Sequence, residues 1–360
     1  MSESNPSTPL PTKAMILGCS GLKLTDDEKA FFKEQNPFGF ILFGRNLETA
    51  DQIKALTEVL QACVDAPMVP ILIDQEGGRV QRLRPPLADN YPFAWNLGLL
   101  YQTDKLLGLH ATWLMSRLHA FDLLKLGINV DCLPVLDIPT PEGHEVIGKR
   151  AYGDEPEIVS ILGQAAADGL KAGGVLPVIK HIPGHGRASA DTHLELPIVD
   201  TPIEELVKTD FAPFGKLSGE LMAMTAHVVY SAIDPKAPAT TSKIAIDQYI
   251  RGVIGFDGLL MSDDVSMNAL SGDFAERTSG IFAAGCDVVL HCNGDMGEMK
   301  LVANETPMLS GKALERANAV LEGFCEPDDH NEAALRSEFY SIVEQYSSLC
   351  HAVRRSAFRR

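Results

Sequence analysis

The chain alternates between short apolar runs and longer segments in which apolar residues recur at helical spacing. The short runs are rich in β-branched residues, and several end at Asp or His, which is typical of buried strands. Helical spacing is clearest before Gly127, a residue type that often ends a helix. Eight strands are predicted, at Ala14–Cys19, Gly39–Phe43, Val69–Asp74, Ile128–Pro134, Leu176–His181, Leu221–His227, Gly258–Ser262 and Asp287–His291.

Eight strands, each followed by helical material, predict an α/β fold of the closed (β/α)8 TIM-barrel type. The alternative is an open doubly wound sheet, which needs a glycine-rich phosphate loop after an early strand. The segment Gly18–Gly21 lacks that G-x-G-x-x-G pattern. We therefore expect a single barrel domain at residues 13–322, after an N-terminal tail at residues 1–12 that we expect to be flexible.

The last part of the chain, residues 323–360, is predicted to be a helical appendage. Its apolar positions Leu335, Phe339, Ile342 and Tyr346 recur at helical spacing. This pattern indicates one more helix with an apolar face packed on the barrel.

Charge and cysteine content narrow the class of protein. The formal net charge of −17 disfavours binding to nucleic acids or anionic membranes, because both attract clustered Lys and Arg. Seven scattered cysteines without a C-x-x-C motif suit a reducing compartment. The N-terminus lacks the pattern of a signal peptide, and no apolar run approaches the ~18 residues of a membrane span. We expect a cytoplasmic monomer or weak homo-oligomer.

Ionisable residues follow most of the predicted strands. The carboxyl ends of barrel strands meet at one mouth, where active sites of this fold lie. These side chains should therefore converge, and a functional mouth explains them better than coincidence does. They are Asp74, Asp137, Lys180, His181, His227, Asp263 and His291.

Three basic residues and one acid are candidates for binding a substrate. Asp74 begins the segment D-Q-E-G-G-R-V-Q-R and could accept hydrogen bonds from sugar hydroxyls, while Arg82 ends it. Arg82, Arg150 and Lys180 could supply positive charge in an otherwise acidic protein. Each of them taken alone also fits a surface charge.

The segment from Lys180 to His193 contains the second group of candidates. His181 and His185 have the spacing of a helical metal pair, but Pro183 disfavours a helix there. Asp191 and His193 would point to the same side of an extended segment. A carboxylate beside an imidazole favours the protonated ring, as a general acid requires. A surface turn explains this pair equally well.

The segment S-D-D-V-S-M supplies a candidate nucleophile. Asp263 follows an apolar run and is predicted at a strand end, where its carboxylate could attack an anomeric carbon. Asp264 should face away and cap the next helix. The two acids could also act as a pair in substrate-assisted cleavage, but adjacent strand positions face opposite sides.

Taken together, the segments at 73–82, 180–186, 191–193 and 262–267 resemble the bacterial β-N-acetylglucosaminidases of glycoside hydrolase family 3. The resemblance runs from about residue 13 to residue 320. Departures are modest: Gln75, Ile182 and Thr192 stand where relatives often have His, Phe and Ser.

The resemblance implies a single-domain barrel that retains anomeric configuration and uses no metal or cofactor. It implies that Asp263 is the nucleophile, His193 the acid/base and Asp191 its partner. It also implies that Asp74, Arg82, Arg150, Lys180 and His181 hold N-acetylglucosamine. The implied substrate is the muropeptide GlcNAc–1,6-anhydro-N-acetylmuramic acid, which places the chain in peptidoglycan recycling; short chitooligosaccharides are the other candidate.

Three alternatives stay open. An amidohydrolase-type metal barrel would use His181, His227, His291 and Asp263 as ligands, although that class normally carries H-x-H after its first strand. A phosphorylase would accept phosphate in place of water, since an imidazole acid/base repels phosphate less than a carboxylate does. A non-catalytic sugar-binding barrel is disfavoured by the presence of all three reacting groups.

Overall fold

Eight parallel strands form a closed barrel, as predicted. The computed structural model describes residues 12–141, 143–188 and 196–357, and the backbone alone from residue 347 onward. The first strand pairs with both the second and the last, which closes the sheet and excludes the open doubly wound alternative. The strands are β1 Lys13–Leu17, β2 Pro37–Leu42, β3 Ile71–Ile73, β4 Val130–Asp131, β5 Leu176–Ile182, β6 Met222–Thr225, β7 Leu259–Asp264 and β8 Val288–His291.

Helices surround the barrel and connect its strands. A π-helical segment, Ala245–Val253, takes the helical position after β6. Two short ribbons lie beside the barrel, Gln75–Gly77 with Val80–Gln81 and Ile198–Val199 with Val229–Tyr230. The α-helices are α1 Asp26–Gln35, α2 Ala50–Gln61, α3 Ala94–Thr103, α4 Lys105–Leu124, α5 Pro156–Ala172, α6 Ile203–Lys208, α7 Ala212–Lys216, α8 Phe274–Ala284, α9 Met296–Glu305, α10 Gly311–Glu322 and α11 Glu332–Ala357.

The strands are apolar on both faces because each face packs against a different layer. One apolar cluster fills the barrel interior, and a second, larger one lies mainly between the strands and the helices. In β7, Leu259 and Met261 belong to the interior row, and Asp263 continues that row by two residues. In β5, Val178 is followed in the same way by Lys180. Strand register thus aims these two polar side chains into the mouth.

The predicted C-terminal helix is present as α11. Phe339 is fully buried, and Leu335 and Ile342 are nearly so. The partly buried ring of Tyr346 packs against the same core. The helix lies against α4, so the apolar spacing seen in the sequence marks a packed face.

Among the helices that the structure describes, none combines the length and the apolar character that a transmembrane span requires.

Candidate functional site

A pocket opens at the carboxyl ends of the barrel strands. Its wall includes six of the predicted site residues, from three separate strand ends and two connecting segments. Apolar side chains of the barrel's upper layer, Ile41, Met224 and Leu290, also line it. Of the seven strand-end residues expected to converge, Asp74, Lys180, His181 and Asp263 line this pocket, whereas Asp137, His227 and His291 are not part of its wall. The six are Asp74, Arg82, Arg150, Lys180, His181 and Asp263.

Asp74 joins two of the predicted cations. One carboxylate oxygen accepts a hydrogen bond from Lys180 Nζ at 2.8 Å, and the other accepts from Arg82 Nη2 at 2.9 Å. Burial alone would raise the pKa of Asp74, but Lys180 and Arg82 outweigh it and hold the pKa well below its ordinary value. Asp74 is therefore an anion at neutral pH.

Glu76 is a site residue that the sequence prediction missed. Its carboxylate accepts two hydrogen bonds from the Arg150 guanidinium, at 2.9 and 2.8 Å, and lies 2.7 Å from Lys180 Nζ. Although burial opposes it, Arg150 and Lys180 lower the pKa of Glu76 to about 2. Its spacing of two residues from Asp74 was a usable signal, because positions i and i+2 of an extended segment share a side.

The sequence analysis expected Arg82, Arg150 and Lys180 to supply positive charge, and the structure places an acidic partner beside each of them. Asp74 and Glu76 pair with all three of these cations. Burial alone would lower the pKa of Lys180, but the two carboxylates raise it, so the ammonium is charged. The site is a network of ion pairs, and these pairs leave each cation little freedom to move.

His181 is hydrogen-bonded to Asp137, which lies in the segment that follows β4. The His181 Nδ1 atom lies 2.6 Å from an Asp137 oxygen, and the other oxygen accepts from the His185 backbone N–H at 2.7 Å. Against the effect of burial, His181 lowers the pKa of Asp137 to about 2. With Nδ1 engaged, His181 Nε2 is the atom that can meet a ligand.

His185 also lines the pocket, and the sequence analysis treated it only as half of a metal pair. Burial, together with His181, lowers the pKa of His185 to about 4, so the ring is neutral near pH 7. Its buried Nδ1 has no hydrogen-bond partner among the described residues.

Asp263 lies half-buried at the end of β7 and faces the pocket. One of its oxygens accepts a hydrogen bond from the Asp264 backbone N–H at 2.8 Å. Burial alone would raise the pKa of Asp263, but His227, His181 and other neighbours lower it overall. The carboxylate is ionised at neutral pH, which is the form that attacks an electrophilic carbon.

Asp264 does not cap the next helix, contrary to the prediction. Helix α8 begins ten residues later and is capped by Asp273. Asp264 instead accepts hydrogen bonds from the backbone N–H of Ser266 at 3.0 Å and of Cys292 at 3.1 Å. It fixes the turn after β7 and ties that turn to the end of β8.

Both ring nitrogens of His227 and one of His291, which the metal hypothesis would use as ligands, have other partners. His227 lies 2.7 Å from Thr240 Oγ1 and 3.0 Å from the Asp264 carbonyl oxygen. His291 Nε2 lies 2.9 Å from Glu298. Within residues 12–141, 143–188 and 196–346, no three His, Cys, Asp or Glu side chains form a group that could hold a metal ion. The arrangement gives the amidohydrolase alternative no support.

Asp191 and His193, the predicted acid/base pair, lie outside the described residues.

Comparison with known proteins identifies the family of the chain. The model of the glycosyl hydrolase family 3 N-terminal domain matches residues 10–317. A β-hexosaminidase of Bordetella avium is 33% identical over 333 residues, which cover 91% of this chain and 93% of that protein. A β-hexosaminidase of Alkalilimnicola ehrlichii is 37% identical and covers 78% and 80% respectively.

A solved structure shares the architecture. NagZ from Neisseria gonorrhoeae, in complex with N-trifluoroacetyl-D-glucosamine, superimposes with a TM-score of 0.81 at 32% identity, over 95% of this chain and 99% of that one. The family model and these relatives each span most of the chain. The chain therefore belongs to glycosyl hydrolase family 3, in which it is a glycoside hydrolase of the β-N-acetylhexosaminidase type.

Proposed function

We propose that the chain is a retaining exo-β-N-acetylglucosaminidase that works through a covalent glycosyl-aspartate on Asp263. The observation that carries this proposal is the ionised Asp263 carboxylate, which faces a pocket lined by Asp74, Lys180 and His181. Ile41, Met224 and Leu290 close the pocket from the barrel interior, which favours a chain end over the middle of a polymer.

In the proposed first step, His193, braced by Asp191, protonates the leaving oxygen while Asp263 attacks C1 from the opposite face. The C1–O bond to the leaving group breaks and a C1–Oδ ester forms. In the second step neutral His193 removes a proton from water, which attacks C1. The C1–Oδ bond breaks, Asp263 leaves as a carboxylate, and the sugar is released with its original configuration.

The paired charges suit a neutral ligand with many hydroxyls. Asp74 can accept hydrogen bonds from the sugar, and Arg82, Arg150 and Lys180 can donate them without adding a large net field. Hydrogen bonds to ionised groups are stronger than neutral ones, which gives orientation as well as affinity. We assign His181 Nε2 to the same role, since Asp137 engages the other ring nitrogen.

We propose the muropeptide GlcNAc–1,6-anhydro-N-acetylmuramic acid as the physiological substrate, in peptidoglycan recycling. The similarity to NagZ supports this choice, and that protein was solved with an N-acylated glucosamine. The substrate is cytoplasmic, and free thiols at Cys19, Cys63 and Cys132 suit that reducing compartment.

The proposal is tested by product analysis on the anhydro-muropeptide and on chitobiose. Proton NMR during the first minutes should show β-GlcNAc before mutarotation, with faster release from the muropeptide. Phosphate should not change the rate. Initial release of the α-anomer would refute retention, and a GlcNAc phosphate product would identify a phosphorylase instead. Faster turnover of chitobiose would overturn the substrate assignment alone.

A further inference from the structure

We propose that Arg336, on the C-terminal helix α11, is a positioning residue for the sugar-binding hairpin. This name denotes the ribbon Gln75–Gly77 with Val80–Gln81, which Asp74 precedes and Arg82 follows. The inference rests on the proposed function, because it assumes that these flanking residues hold the sugar. It gives a role to a helix that lies beyond residue 317, where the family match ends.

Arg336 gathers several acidic and polar groups from separate parts of the chain. Its guanidinium lies 2.9 Å from Asp89 and 3.1 Å from the Tyr91 hydroxyl, and it donates to Asp122 of α4. The Tyr91 hydroxyl donates to the second Asp122 oxygen at 2.6 Å. Glu332, one turn earlier in α11, orients the guanidinium from its own helix. One arginine thus joins α11, α4 and the segment 84–93.

That segment in turn holds the hairpin. The Tyr91 backbone N–H donates to the side-chain oxygen of Gln81 at 3.1 Å. Gln81 and Gln75 both donate to the Leu83 carbonyl oxygen, at 2.8 and 3.1 Å. The Gln75 side-chain oxygen accepts the backbone N–H of Arg82 at 3.1 Å. A continuous series of hydrogen bonds therefore runs from the anchored Tyr91 to the residue that binds Asp74.

The backbones of segment 84–93 and the hairpin pack closely, which leaves little space for either of them to move. Gly77 and Gly78 adopt positive φ angles, and a Cβ atom at Gly77 would lie 2.5 Å from the Pro92 carbonyl oxygen. The Gly78 N–H donates to the Tyr91 carbonyl oxygen at 3.0 Å. Segment 84–93 and the hairpin are thus in direct contact, so a displacement of the segment must move the hairpin.

The groups in this series of hydrogen bonds are buried, so their hydrogen bonds restrict the position of the hairpin. Gln75 is 0% exposed, Tyr91 4% and Asp122 3%. A buried polar group that loses its partner costs on the order of 1–3 kcal/mol, and more when it is charged. Without Arg336, Asp122 and Tyr91 keep their mutual hydrogen bond but lose the cation that ties both of them to α11, so the segment is held less tightly. The expected consequence is a hairpin that holds Arg82 and Asp74 less well.

A second arginine provides a matched control. Arg117 of α4 also ties the C-terminal part of the chain to the barrel, through Asp328 at 3.0 and 2.6 Å. It is 1% exposed, so its loss should destabilise the fold at least as much. None of its hydrogen bonds in the described residues reaches segment 84–93. Arg117→Met should therefore weaken the attachment of the C-terminal part and leave the hairpin in place.

The test compares Arg336→Met with Arg117→Met in the full chain, using an aryl N-acetylglucosaminide and free GlcNAc as inhibitor. We expect Arg336→Met to raise KM and the Ki of GlcNAc by about 3- to 10-fold, with kcat changed less, in keeping with typical coupling energies. Arg336→Lys should restore part of this loss. Both Met variants should lower Tm, whereas Arg117→Met should leave KM and Ki unchanged.

Equal KM and Ki values in the wild type and Arg336→Met would overturn the inference, as would equal rises in the two Met variants. If Arg336→Met fails to fold, Asp89→Asn decides, since Asp89 is half exposed and its loss removes only one contact to Arg336. It should raise Ki in the same direction, and an unchanged Ki would count against the inference. A wild-type chain that neither binds nor releases GlcNAc would refute the proposed function instead.

Discussion

Glu76 and Lys180 form an ion pair 2.7 Å long inside the barrel mouth, where both side chains are almost fully buried. The same Glu76 oxygen lies 2.8 Å from Nη2 of Arg150. A single carboxylate therefore compensates two buried cations. Breaking a buried pair from one side costs more than the pair contributes, because the partner charge is left uncompensated.

Replacing this carboxylate should weaken sugar binding. Glu76→Gln keeps the shape but leaves Lys180 and Arg150 without their shared anion. We expect kcat/KM for an aryl N-acetylglucosaminide to fall about 10²-fold, mostly through KM, which corresponds to a few kcal/mol. Steady-state kinetics measures this directly. Glu315→Gln, which removes an exposed partner of Lys312, is the matched control and should leave kcat/KM unchanged. Wild-type kinetics in Glu76→Gln would show that the pairing is not needed for binding.

The same residue should make folding stability depend on acid pH. The folded-state pKa of Glu76 is lowered to about 2 from an ordinary 4.5, so its stabilisation is complete above pH 4.5 and is lost as pH falls toward 2. The shift corresponds to on the order of 3 kcal/mol. Urea unfolding between pH 2 and 6 should therefore show a shallower pH dependence in Glu76→Gln than in the wild type. Parallel curves would contradict the lowered pKa.

Strand positions and the polar residues that continue them were predictable from the sequence. Apolar runs identified all eight strands, and their position at strand ends predicted that Lys180 and Asp263 lie in the mouth. The pairing of charges was not predictable. Arg150 and Glu76 are 74 residues apart, and only closure of the barrel brings them together. The local sequence showed the charged residues, whereas the fold determines which of them pair.

Asp264 is a second residue whose role could not be predicted from the local sequence. A polar residue after a strand is often a helix cap, but a long turn separates β7 from α8. The contact that decides its role is with Cys292 at the end of β8. Such contacts between distant segments cannot be inferred from one sequence. The role of Arg336 was hidden for the same reason.

The acid/base assignment makes a prediction about leaving groups. His193→Ala should lose about 10²–10⁴-fold in kcat/KM with a poor, alkoxide-like leaving group, because proton donation is then essential. With an acidic nitrophenol the loss in the glycosylation step should be much smaller. A series of aryl glycosides of graded phenol pKa tests this. Asp191→Asn should show the same trend to a lesser degree, and an equal loss across the series would remove His193 from the acid role.

The central claim is that Asp263 forms a covalent bond to the sugar. A 5-fluoro N-acetylglucosaminyl fluoride slows breakdown of such an intermediate, so brief incubation, peptic digestion and tandem mass spectrometry should locate the label. The account predicts one fluorinated N-acetylglucosaminyl unit, attached to Asp263 and absent from Asp263→Asn. A label on any other residue, or turnover through an oxazoline with no labelled peptide at all, would contradict it.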